Sequence, residues 1–152
     1  SCTTAGACGS PVPQAAPAPA DSSTVRLAVV GAHLSGMPLN HQLTDRGARL
    51  LRTTRTAPLY RLYALTDATP PKPGLIRVER GACLELEVWE MPLRHFGSFV
   101  AGIAAPLGIG TLALEDGESV KGFLCESYAV EGRPDITSSG GWRQYLGTQT
   151  GI

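Results

Sequence analysis

The chain carries no net charge: thirteen lysines and arginines balance thirteen aspartates and glutamates over 152 residues. It has no basic stripe, so a nucleic-acid partner is not expected. It has no run of about 18 apolar residues, the minimum for a membrane-spanning helix, so no membrane partner is expected either. Its four cysteines, Cys2, Cys8, Cys83 and Cys125, form neither a C-x-x-C pair nor a Cys/His cluster at metal-ligand spacing. Neither a metal nor a cofactor is therefore expected, and the pattern fits reduced, cytoplasmic surroundings better than an oxidising compartment. There is no initiating methionine, and no basic segment leads into an apolar one. The start reads as neither a natural N-terminus nor a secretion signal, and the chain reads as a piece of something longer.

What is present divides unevenly. Residues 1–24 are small, polar and rich in proline and alanine, as in Pro11-Val12-Pro13-Gln14-Ala15-Ala16-Pro17-Ala18-Pro19-Ala20. Such a segment cannot bury enough apolar surface to offset its ordering entropy, so it is expected to be a disordered linker. Residues 25–152 are one domain's worth of chain, long enough for a hydrophobic core without disulfides or metal.

The densest group of site-building residues is Val30-Gly31-Ala32-His33-Leu34-Ser35-Gly36-Met37-Pro38-Leu39-Asn40. It follows the β-branched apolar run Val25 to Val30, a buried strand by pattern, and precedes a helix expected from Leu39 to Arg46 and ended by Gly47. Gly31 and Gly36 free the backbone to approach a ligand, so the amides of Leu34, Ser35, Gly36 and Met37 could line one concavity. His33 adds a side chain that titrates near neutrality. Amide donors and an imidazole suit a small dicarboxylate-like anion and a proton transfer. The plainer alternative is a turn histidine bonded to its own backbone.

The remainder reads mostly as strands. Ala48 to Thr56, Pro58 to Leu65, Leu75 to Glu79 and Ala82 to Glu90 are candidates, with an exposed proline loop over 67–74 and glutamates on a wet face of the last strand. Pro92 opens a short helix, Leu93 to Val100. Residues 104–110 read as a glycine-punctuated loop. Gly110 to Leu114 and Ser119 to Tyr128 form a hairpin about Asp116-Gly117. A last helix covers Gly141 to Tyr145, with Ser138 or Ser139 as its cap. Six or seven strands and a few short helices without βαβ alternation give an α+β domain on a closed or nearly closed mixed β-barrel.

Val30 to Asn40, Glu87-Val88-Trp89-Glu90-Met91-Pro92-Leu93 with His95-Phe96-Gly97-Ser98-Phe99, Pro106 to Gly110, Lys121 to Glu126 and Gly140-Gly141-Trp142 occur in order. Together they resemble the C-terminal domain of allophanate hydrolase over essentially all of residues 25–147. The resemblance implies a γ-glutamylcyclotransferase-like fold, attached in a cytosolic enzyme of urea and s-triazine breakdown to an N-terminal amidase domain that this chain lacks. It implies decarboxylation of the N-carboxylated carbamate left by the amidase, and a substrate cavity lined by the loop of Gly31 to Ser35. One departure stands out. Cyclotransferases place an acid/base carboxylate after the strand matching Val88-Trp89-Glu90, whereas Phe96-Gly97-Ser98-Phe99-Val100 occupies that region here, which weighs against glutathione-type chemistry.

Breaking an N–COO⁻ bond leaves charge on nitrogen unless a proton arrives, and His33 is the candidate general acid. Gly31, Leu34, Ser35, Gly36, Met37 and Asn40 are the candidate substrate-binding residues, with Arg55 or Arg61 as a guanidinium fork for the carboxylates. His41 and His95 read as surface or packing residues, and Trp89 and Trp142 as core. Ser35 reads as turn chemistry, since no base and acid partner it at readable spacing. Two classes of function stay open, a small decarboxylase and a non-catalytic assembly module of the amidase. A cyclotransferase-like enzyme is a weaker third, and self-association is left open.

Overall fold

The computed structural model describes residues 23–150. The expected linker therefore lies, apart from Ser23 and Thr24, outside the described residues. The first strand is β1, Thr24–Val29, whose apolar second half Leu27, Ala28 and Val29 is fully buried. The loop after it leads to a single helical turn, α1, His41–Thr44. This is shorter than the helix expected over Leu39 to Arg46, because Leu39 and Asn40 spend their N–H groups on separate turns back to Ala32 and Met37. Gly47 ends the segment at φ +76°, a conformation that favours glycine.

Strands β2 (Arg49–Arg55), β3 (Tyr60–Leu65), β4 (Lys72–Arg77) and β5 (Glu85–Pro92) follow. Then come α2 (Leu93–Ala101), β6 (Leu107–Ala113), β7 (Ser119–Cys125) and α3 (Trp142–Thr150). Two expected loops are partly strand. Lys72 and Pro73 pair with Leu65 and Ala64, and Leu107 to Gly110 pair with Cys125 back to Gly122, so partner strands decide what local glycine and proline content obscured. The Asp116-Gly117 turn forms as expected, with Gly117 at φ +93°. Ser138 and Ser139 do not cap α3; they lie in a separate 3-10 turn, Thr137–Ser139, closed by Gly140 at φ +90°.

The strands make a five-stranded sheet in the order β2-β5-β1-β7-β6 and a two-stranded sheet of β3 and β4. Only β1 and β7 run parallel, through Leu27↔Lys121 and Ala28↔Gly122. At that crossing a β-carbon on Gly122 would overlap the Leu112 side chain, so the close approach requires glycine. No continuous ladder closes the large sheet into a barrel among the described residues. Its outer strands meet at one end through the single bridge Thr56↔Leu114, flanked by Arg52 on Asp116 and Glu118 and by Arg55 on Glu115. The core lies between the sheets, built on Leu27, Leu62, Leu75, Leu86, Met91 and Trp142. Each such side chain contributes about 1.5–3 kcal/mol on leaving water.

Candidate functional site

The loop after β1 is held by its own short turns. Leu34 N–H donates to the Gly31 carbonyl at 2.9 Å, Met37 N–H to Leu34 at 2.9 Å, and Leu39 N–H to Ala32 at 2.8 Å. The Asn40 side chain donates to the His33 carbonyl at 2.8 Å. Leu34 points into the core and is 1% exposed. Gly36 takes φ +81° with open space where a β-carbon would stand, so it serves turn geometry. Gly31 serves packing instead: a β-carbon there would overlap the Pro73 ring of β4.

These bonds revise the expected amide cradle. The Leu34 and Met37 amides are used inside the loop, and the Ser35 amide donates to Glu87 Oε1 at 2.9 Å. Local turn partners are already within reach when the chain folds, whereas amides left for a ligand would stay unpaired in its absence. Ser35 Oγ donates to the same Glu87 oxygen at 3.1 Å, a partner 52 positions away in place of the local turn bond expected of it.

His33 behaves otherwise. Its ring is nearly enclosed, 9% exposed, stacked on Phe123 at 4.9 Å and edge-on to Phe99 at 5.3 Å. Nε2 lies 2.7 Å from Gln42 Oε1. An amide oxygen only accepts, so this contact suits the tautomer with Nε2 protonated, in which Nδ1 is the ring nitrogen left for exchange. Burial pushes the imidazole below its ordinary pKa of 6.5; the Gln42 bond opposes this, and the nearby Lys72 and His41 charges reinforce it. His33, Gly31 and Ala32 line a small, mostly apolar cavity with Pro73, Phe123 and Lys72. Lys72 is the cation the sequence reading missed, since it sat in an expected exposed loop.

The expected guanidinium forks lie elsewhere: Arg55 pairs with Glu115 and Arg61 with Asp135, both largely exposed. Arg143 of α3 is the arginine that reaches the loop, at 2.6 Å from the Ser35 carbonyl and 2.9 Å from Glu87 Oε2. Glu87, expected on a wet face, is 3% exposed. Burial raises its carboxyl, but the donors of Ser35, Trp89 and Arg143 outweigh that and hold it below the ordinary carboxylate range. His41 binds the Pro38 carbonyl at an exposed position, His95 is half-buried on α2, and Trp89 and Trp142 are buried in the core as expected.

The two-sheet α+β domain thus brings one imidazole, His33, and one ammonium, Lys72, to a small and mostly apolar cavity. Its fold is shared, at 12% identity and a TM-score of 0.50, with a structure titled Gamma-glutamyl cyclotransferase, over 74% of this chain and 70% of that one. The family model for the allophanate hydrolase C-terminal domain matches residues 25–147, and the chain belongs to that family. It is 47% identical over 130 residues to the urea amidolyase of Saccharomyces cerevisiae, covering 82% of this chain and 7% of that protein. It is 44% identical to a Kluyveromyces lactis allophanate hydrolase structure, with a TM-score of 0.81, covering 84% of this chain and 22% of that one. The chain thus spans less than a tenth of the length of the curated relative it matches.

Proposed function

We propose that this domain decarboxylates the N-carboxylated carbamate that an amidase releases from allophanate, with His33 as general acid. The supporting observation is the placement of His33 and Lys72 at one cavity. Burial and the Lys72 charge both disfavour a second proton on the imidazole. A dianion in the cavity offsets Lys72 and attracts the imidazolium, so substrate brings His33 into its acidic form.

In the step itself, the C–N bond to one carboxylate breaks, its electron pair goes to nitrogen, and CO₂ leaves. Nδ1–H of the imidazolium donates to that nitrogen, giving carbamate and neutral His33. The balance is ⁻OOC–NH–COO⁻ plus imidazolium giving H₂N–COO⁻, CO₂ and imidazole. Phe123 and Phe99 pack on the ring and exclude water from it, and Gln42 engages Nε2, which leaves Nδ1 for the exchange. No cofactor is required by this chemistry.

The test feeds the fresh product of an amidase domain to this chain and follows CO₂ release with time. The expected result is acceleration by the natural sequence and its loss in His33→Asn with the fold intact by circular dichroism. Release at the uncatalysed rate with the natural sequence would favour the assembly-module reading.

A further inference from the structure

Glu87 is a buried carboxylate that the proposed chemistry leaves unused. Its two oxygens collect donors from three places in the chain: Ser35 N–H and Oγ from the loop, the Trp89 indole at 3.0 Å from its own strand, and Arg143 from α3. Arg143 also takes the Ser35 carbonyl, so every polar atom of Ser35 is held. Two residues earlier, Asn40 holds the His33 carbonyl, and between them Leu34 is locked in the core. The backbone that carries the imidazole is therefore pinned on both sides.

A buried ion pair is a poor way to gain stability, since well-packed apolar residues of the same volume commonly do as well or better. What it supplies is direction. Donors and acceptors with fixed geometry admit one placement of the loop, whereas apolar packing tolerates a slide of a few tenths of an ångström.

Resting on the decarboxylase reading, we propose that Glu87 and Arg143 are positioning residues that set the His33 ring against the cavity, and that the C-terminal helix α3 thereby controls the rate of proton transfer. Arg143 is the better handle, because its side chain is about one-third exposed, at 32%, and its loss leaves no cavity in the core.

The experiment compares the natural sequence with Arg143→Met, Arg143→Lys and Leu114→Ala. Leu114 is a fully buried residue at the β6 end of the sheet, so its variant supplies destabilisation without touching the loop. Rates and the ¹⁵N resonances of the His33 ring are recorded at temperatures of matched folded fraction. Arg143→Met is expected to lower kcat on the order of tenfold with KM within about twofold, as misplacing a reacting group does. It should also shift the His33 ring resonances. Arg143→Lys should recover part of both, and Leu114→Ala should change neither.

An unmoved His33 spectrum in Arg143→Met overturns the proposal whatever the rate does, as does an equal loss in Leu114→Ala. If the natural sequence has no decarboxylase activity, the functional reading fails. The ring spectra of the same variants then still decide whether Arg143 positions His33.

Discussion

Acidification should weaken this domain well before Glu87, Glu90, Asp116 and Asp135 take up protons, and His33 is the reason. The folded ring is buried against Phe99 and Phe123 and its pKa is lowered, so the unfolded chain takes up a proton that the folded chain refuses. Stability is therefore intact above the ordinary value of 6.5 and falls as the pH drops below it. If the folded ring stays neutral throughout, lowering the pH from about 7.5 to about 5.5 removes about 1.4 kcal/mol, the ceiling for one proton. For a domain of this size that corresponds to a fall in Tm of about 4 °C. The paired carboxylates Glu87, Glu90, Asp116 and Asp135 all sit below their ordinary values of 4.5 or 3.8, so the stability they add disappears only at lower pH. Urea denaturation of the natural sequence and of His33→Asn at several pH values isolates the effect. The slope of stability against pH between about 5.5 and 7.5 should flatten in the variant, whatever its absolute stability. Saturating malonate, a dianion, should flatten it in the natural sequence too. Parallel slopes in the two proteins would refute both the burial argument and the idea that substrate charges the ring.

The two loop glycines should separate by mechanism. Gly31→Ala drives a methyl group into the Pro73 ring, so a loss of about 1–3 kcal/mol in urea denaturation and weaker malonate binding by calorimetry are expected together. Gly36→Ala meets open space and suffers only from its φ of +81°, so a loss of about 1 kcal/mol with unchanged malonate affinity is expected. Lys72→Met should lift the His33 pKa measured by NMR, since it removes a charge that opposes protonation, and under the proposed function it should raise KM for the N-carboxylated carbamate. Arg52→Ala, at an exposed ion pair with Asp116 and Glu118, should change Tm little, within about 1 kcal/mol of stability.

Much of this domain follows from local sequence. The apolar run before the loop must bury itself as a strand, Asp116-Gly117 supplies the positive φ a tight hairpin needs, and Gly47 stops a helix. Those features depend on residues within a few positions of each other, which is why they are legible in order along the chain. The placement of His33 on a loop after β1 is legible for the same reason, as are the motifs of the family.

What only the tertiary structure decided involves partners far apart in sequence. Glu85 and Glu87 alternate with apolar residues and look solvated, yet Glu87 is covered by the loop and by α3, and Arg143 reaches Ser35 across 108 positions. Lys72 joins His33 because β4 brings Pro73 against Gly31. The apparently free amides of Leu34, Ser35 and Met37 are taken by a carboxylate 52 residues from Ser35 and by turns within the loop. Periodicity tells which residues share a face of one strand, but only the packing of another element on that face determines whether a carboxylate there meets water or a guanidinium.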